Sequence, residues 1–513
     1  MTASTVKGNP IIRMIKYSYS SILLVFSIIM ILGNMFQDQT RLAHQSHPAV
    51  ALILMLFAIV WLTMVEGGQG ALVGLGPVDT ELYKDSHPMT YRCTNIIYKG
   101  DNLDRYLLGR QFMVILIVFV VELCGATHAK SDDSDIELWG MPGWLIGIFL
   151  VSGVSMILFT CMVGQLNSEI ISCHYMLDYL NNWFALITVW TAMAIEFSGI
   201  LHVCYIVQRT VGYLAGQPIL SKEEPKTLPQ NIFFYGRCLM SLALLGLSFA
   251  VTFVAIFEKK TTVWESVPPW ASVIIFFVLM GCIGILEGSQ IAYFAVVKMQ
   301  KSEQGQDGSM GYFAKKSADI LFANNNHNLA AFLVGRQLCV VSCMFFIARI
   351  TAVKIPDGEP NIFGVPDWMQ AIFSTGLLGA VIVAVVASVS WRLLASAFPI
   401  VFFKNPLAYV FLRFCLFLEM TGILHGAWVI AFIIKKVTGV KRDEVYIGTA
   451  DERAAKSHKD NDNIHDGIGL VGSLDVGDDE PPVQAFNNEE EKIKPDVEEA
   501  GSSSDTTISI PSS

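Results

Sequence analysis

The chain has 513 residues, 53% of them hydrophobic and 16% charged, with a formal net charge of −10 and a mean hydropathy of +0.49. That apolar share exceeds the needs of a soluble core and excludes a cytosolic globular or nucleic-acid-binding protein; the composition is that of an integral membrane protein. Most of the negative charge falls after Asp443, in stretches such as DVGDDEPP, so the acidic balance describes a tail and not the apolar body.

Ten apolar runs approach the roughly 20 residues that cross a bilayer as a helix. The first starts near Tyr17, behind a short polar segment holding Lys7, Arg13 and Lys16. That segment has no signal-peptide cleavage pattern, and the run is expected to act as its own insertion signal. The second starts near Ala49, behind Pro48, and carries Glu66-Gly-Gly-Gln69. A basic loop, Lys84 to Arg105, leads to Gly109-Arg110-Gln111 at the head of the third run, near Phe112. The fourth to tenth start near Trp144, Trp183, Cys238, Ala271, Leu329, Trp368 and Leu407. Long, continuously apolar runs exclude a membrane barrel, whose strands alternate in polarity over about ten residues.

The second five runs repeat the first five. Glu66-Gly-Gly-Gln69 returns as Glu287-Gly-Ser-Gln290, and Gly109-Arg110-Gln111 as Gly335-Arg336-Gln337. Pro142-Gly-Trp144 returns as Pro366-Asp-Trp368, and Glu196-Phe-Ser-Gly-Ile-Leu-His202 as Glu419-Met-Thr-Gly-Ile-Leu-His425. The four offsets, 221, 226, 224 and 223, keep one order, which marks two homologous halves. An odd number of spans per half turns the second half over in the membrane, giving an all-α bundle of ten transmembrane helices in two inverted-topology repeats. The expected divisions are a cytoplasmic N-terminus (1–16), a first repeat (17–216), a linker (217–237), a second repeat (238–442) and a disordered acidic cytoplasmic tail (443–513). Basic residues before the first run, in the loop from Lys84 and after the last run (Lys435, Lys436, Lys441, Arg442) favour cytoplasmic termini. The loop with Lys298, Lys301, Lys315 and Lys316 opposes that orientation.

Glu66 and Gln69 share a helix face, and the glycines between them are expected to loosen a helix that is longer than one straight crossing requires, so that it tilts or breaks. The competing reading is a helix end with a polar cap. Arg110 and Arg336 lie at the start of apolar runs, where a cation needs a carboxylate, and Glu66 and Glu287 are the evident partners; snorkelling to headgroups is the alternative. If the ion pairs form, the charges cancel and Gln69, Gln111, Gln290 and Gln337 remain as neutral donors and acceptors, which suits an uncharged, hydroxyl-rich solute. Glu196 with His202, and Glu419 with His425, read either as an ion or proton relay or as hydrogen bonds between helices, the structural role being favoured. His174 and Asp178 have metal-ligand spacing without further ligands, and no metal site is expected. No nucleophile and base motif points to an enzyme.

The segment from Glu66 to Gln111, with EGxQ and GRQ paired in each half, resembles the silicon transporters of diatoms, and the resemblance covers residues 17 to 436. It implies ten membrane helices and uptake of orthosilicic acid into the cell by sodium symport, with sodium as the coupling ion and no organic cofactor. Gln69, Gln111, Gln290 and Gln337, with Gly109 and Gly335, are implied as the substrate-binding set. Glu66, Glu287, Arg110 and Arg336 complete the motifs as ion pairs or as sodium ligands, and both roles stay open. Members often carry Cys-Met-Leu-Asp where this chain has Tyr175-Met-Leu-Asp178 after Cys173 and His174, and some end in a coiled coil for which the tail shows no heptads. The alternatives are sodium-coupled uptake of another small neutral solute such as boric acid, or a passive channel. The expected partners are the solute, sodium and the lipid bilayer. The expected location is the plasma membrane, with an intracellular vesicle membrane as the alternative, and the oligomeric state is open.

Overall fold

The computed structural model describes residues 10–127, 138–214, 216, 223, 227–264, 266–298, 311–321, 327–355 and 358–448. The expectations about Lys7, about Lys301 and about the acidic tail beyond 448 lie outside these residues. Eight described helices are long and apolar enough to cross a membrane, and two bent pairs raise the total to as many as ten. In chain order they are α1 (Pro10–Phe36), α2 (Pro48–Gly74), α3 (Asn102–Gly125), α4 (Val154–Ser172), the bent pair α5 (Trp183–Ser198) and α6 (Val203–Leu214), α7 (Leu228–Phe257), α8 (Pro269–Lys298), α9 (His327–Thr351), α10 (Leu377–Ala397), and the bent pair α11 (Pro406–Thr421) and α12 (Gly426–Thr438). The protein is therefore a polytopic helical membrane protein. The first helix starts at Pro10 and not near Tyr17, and α7 takes up residues 228–237 of the expected linker.

One local expectation is corrected. Helix α2 runs unbroken through Glu66–Gln69, and α8 through Glu287–Gln290. The glycines in these motifs make room for rings: a Cβ on Gly67 would overlap Tyr179, and one on Gly288 would overlap Phe402. Close packing offsets the roughly 1 kcal/mol that each glycine costs a helix. The breaks fall instead in the runs expected to begin at Trp144 and Trp368. Short helical segments there end at Gly153 (φ 81°) and Gly376 (φ 82°), and the long helices start one residue later. Each long helix then carries a wide π-helical turn, Thr160–Leu166 in α4 and Val383–Val389 in α10.

The bends have a definite cause. Gly199 (φ 87°) and Gly422 (φ 77°) adopt the left-handed conformation that ends a helix, and the chain turns by 69° into α6 and by 65° into α12. These glycines are 223 residues apart, as are Gly153 and Gly376, and the two isolated β-bridges, Thr40 with Thr127 and Thr261 with Val353, keep the motif offsets.

Helix contacts follow the same rule. Contacts of α2 with α3 and α4 are matched by those of α8 with α9 and α10; α3 against α5 is matched by α9 against α11, and α1 against α4 by α7 against α10. Across the halves, α4 meets α12 as α10 meets α6, and α3 meets α9 at the centre. The pattern is unchanged when the halves are exchanged.

The segment after α12 folds back as a strap. The Asp443 carboxylate accepts hydrogen bonds from the Met176 and Leu177 amides, both at 2.9 Å, and the Asp443 amide donates to the His174 carbonyl at 3.2 Å. Asp178 in turn accepts from the Lys441 amide at 2.7 Å and from the Tyr446 hydroxyl at 3.4 Å, and it lies 3.2 Å from His87 Nε2. Burial pushes the Asp443 carboxyl up to about 6, against the pull of the two amides.

Two outcomes follow. Gly109 and Gly335 carry the closest helix approaches, since a Cβ on either would overlap the carbonyl oxygen of Ala192 in α5 or of Cys415 in α11. Gly109→Ala or Gly335→Ala should destabilise the protein by roughly 1–3 kcal/mol through overpacking, read as a lower Tm in detergent. The docked Asp443 carboxyl titrates above its ordinary 3.8. The docked strap then binds a proton more tightly than the released one, and docking strengthens as pH falls through about 6 towards 3.8. Hydrogen-exchange protection of the Met176 and Leu177 amides should rise over that window, and Asp443→Ala should flatten the profile.

Candidate functional site

Between α3 and α9 lies a small polar cavity of about 20 Å³ whose wall is drawn from both halves. Glu66 and Gln69 reach it from α2, Arg110 and Gln111 from α3, Glu287 and Gln290 from α8, and Arg336 and Gln337 from α9. All eight motif side chains that the sequence singled out therefore meet in one place. Gly109 and Gly335 do not line the cavity; they face α5 and α11. Three polar residues that sequence reasoning passed over complete the wall: Gln165 and Glu169 from α4, and Arg392 from α10. Val114, Val340 and Met344 supply its apolar part.

The polar groups form one continuous chain. Arg110 pairs with Glu66, donates to the Val65 carbonyl at 3.2 Å and to Gln111 Oε1 at 2.9 Å. The other Glu66 oxygen accepts from Gln165 Nε2 at 3.1 Å. Gln165 Oε1 accepts from Gln337 Nε2 at 2.6 Å, which joins the halves. Gln337 Oε1 accepts from Arg336 at 2.7 Å, Arg336 pairs with Glu287 at 3.2 Å, and Arg392 Nε donates to Glu287 at 2.6 Å. Glu66, Arg110 and Glu287 are no more than 6% exposed, so these are buried ion pairs and not headgroup contacts. Three carboxylates and three guanidiniums leave the wall with no net formal charge. Not all its capacity is spent: Gln290 Oε1 and Arg336 Nε are buried without partners among the described residues.

Nearly the whole chain, from residue 9 to residue 507, matches the sequence model of the silicon transporter family. The chain belongs to that family. No curated protein and no solved structure matches it. Family and membrane spans together make it a multi-pass membrane transporter, and in this silicon transporter the EGxQ and GRQ side chains form a single cluster.

The other repeated pairs lie apart from this cavity. His202 Nε2 is 3.6 Å from Glu196, and His425 Nε2 is 3.9 Å from Glu419, each pair reaching across the bend made by Gly199 or Gly422. The Tyr205 hydroxyl also donates to Glu196, at 3.2 Å. Farther along the same α3 and α9 seam lies a second, tightly packed cavity, lined by Arg41, Phe119, Glu122, Ala348 and Gly376 among others. There Arg41 Nη1 is 3.4 Å from one Glu122 oxygen, and the other oxygen is buried and unpartnered among the described residues.

The silicon transporter's buried pairs set a clear expectation. Glu66→Gln strands the Arg110 guanidinium and should cost roughly 3–5 kcal/mol, while Glu66→Gln combined with Arg110→Gln should recover much of it. A double-mutant cycle on unfolding in detergent measures the coupling, and the same cycle applies to Glu287 and Arg336.

Proposed function

We propose that this protein imports orthosilicic acid by sodium symport, with the two halves as inverted repeats that alternate in opening the central cavity to either side. The observation that carries the reading is the convergence of four motif glutamines on a buried cavity whose charges cancel. Orthosilicic acid is tetrahedral and uncharged near neutral pH, and each of its four hydroxyls donates and accepts. Carboxamides replace such hydration without burying charge. Gln290 Oε1 accepts, Arg336 Nε donates and Gln69 makes no hydrogen bond to a described residue, so a hydroxylated solute finds unspent partners. Gln111 and Gln337, held by Arg110 and Arg336, are the positioned members of the set. A wall without net charge gives phosphate or sulfate no electrostatic advantage.

The exchange symmetry of the helix contacts supports alternating access, because related halves that swap conformations produce outward and inward states from one scaffold. Contacts among the strap, His87 and Asp178 bring the basic loop after Lys84 and the basic end of α12 to one side of the membrane, which supports placing that side in the cytoplasm. The plasma membrane is the proposed location.

Uptake of labelled silicic acid into vesicles of the purified protein tests the reading. Accumulation should require an inward sodium gradient, and boric acid in excess should compete weakly. Gln69→Ala or Gln290→Ala should each remove about 1–3 kcal/mol of solute interaction, roughly a 5- to 150-fold loss in uptake efficiency, with an unchanged Tm. Undiminished uptake in both variants would remove the glutamines from the solute site.

A further inference from the structure

The cavity spends its charges unevenly. Glu66 is held by Arg110 and by the Gln165 amide. Glu287 takes two guanidiniums, Arg336 and Arg392. The third carboxylate, Glu169, lines the same wall, half-buried, and no described residue donates a hydrogen bond to it or pairs with it. One pair is therefore neutral, one cluster carries an excess cation, and one carboxylate is unpaired.

The position of Glu169 explains why it is left over. It lies one turn beyond Gln165, just past the π-helical turn of α4, and 223 residues later the corresponding place in α10 is Arg392, with Ser388 standing where Gln165 stands in the first half. Where the second half has a guanidinium clamped on its motif glutamate, the first half has a carboxylate, and the glutamate beside it is already satisfied by Gln165. The halves match in every EGxQ and GRQ side chain and differ in charge at this one place on the wall.

A carboxylate that stays ionised in a low-dielectric cavity is stabilised by a cation beside it. The oxygens at hand are hard ones: the Glu169 carboxylate, the unpartnered Gln290 Oε1 and the Gln69 carboxamide. Oxygen donors of this kind suit a small alkali cation and not a thiophilic or imidazole-seeking metal. We infer that Glu169 is the carboxylate that binds the coupling sodium ion, and that Glu66 and Glu287, the glutamates of the repeated motifs, serve as ion-pair partners of arginine. The inference rests on the sodium-symport reading for its choice of ion. It also assigns the asymmetry a task, since a solute with no charge is matched by symmetric glutamines while the single cation is matched by a residue present in one half only.

Two readouts test it, the ratio of uptake with and without an inward sodium gradient and the rise in Tm that sodium produces over the same concentration of choline. Glu169→Gln should bring the uptake ratio from at least tenfold to about one and abolish the sodium-specific rise in Tm. Glu169→Asp, which keeps the charge on a shorter stem, should retain the rise but need several-fold more sodium. A wild-type ratio of one, together with a sodium-specific Tm rise that Glu169→Gln removes, would uphold the cation site and sink the symport. A tenfold ratio and a full Tm rise surviving in Glu169→Gln would overturn the assignment and leave the symport standing. If Glu169→Gln does not fold, Glu169→Asp decides: a sodium requirement identical to the wild type would overturn the assignment.

Discussion

The rule that a buried charge in a bilayer must have a partner organises the centre of this protein. Arg110 sits in the third helix at 1% exposure, where an unpaired guanidinium is untenable, and it draws Glu66 of α2 against α3. Arg336 and Arg392 do the same for Glu287, binding α8, α9 and α10 together. Because each guanidinium also reaches a glutamine of its own motif, the ion pairs orient the carboxamides as a by-product of satisfying themselves. Gln165 and Gln337 then close the gap between the halves with one short hydrogen bond. Held in this way, Gln111 and Gln337 are positioned on a wall of no net charge, and such a wall is what an uncharged, hydrogen-bonding solute needs to replace its water.

The parts of this arrangement that could be read from the sequence are those that occur twice. Glu66, Gln69, Arg110 and Gln111 stood out because Glu287, Gln290, Arg336 and Gln337 return in the same order, and their pairing followed from the cost of a lone arginine in an apolar run. Gln165, Glu169 and Arg392 gave no such signal, since their counterparts are Ser388, Arg392 and Glu169, and a comparison by identity passes over a position where the charge is reversed. A polar residue deep in an apolar run was the available clue, and α4 holds two of them one turn apart. Glycine was misread in a consistent way. Gly67 and Gly288 make space for a ring without loosening the helix, because the sequence does not reveal that Tyr179 and Phe402 will be there. The breaks lie at Gly153, Gly199, Gly376 and Gly422, where φ is positive, and a helical glycine and a helix-ending one look alike in a string of letters.

The two halves also separate scaffold from chemistry. Bends, breaks, π-helical turns and helix contacts are conserved between them at nearly constant offset, while the side chains just beyond the π-helical turns of α4 and α10 diverge. A wide turn is costly in a helix and is found where local geometry serves a site. Here residues 165 and 388 lie within the wide turns and 169 and 392 just beyond them, so the turns stand beside the positions whose charge and polarity differ between the halves.

The second cavity, around Glu122, gives the central one an electrical context. Gln111 and Glu122 stand on the same helix, eleven residues apart, which at about 1.5 Å per residue is roughly 16 Å, near half of the roughly 30 Å hydrocarbon thickness. A unit charge displaced between those two depths would cross a like fraction of the membrane voltage, worth about 1 kcal/mol at 100 mV. On the proposal that sodium binds at Glu169, membrane voltage would act on occupancy of the central cavity as well as on the sodium gradient.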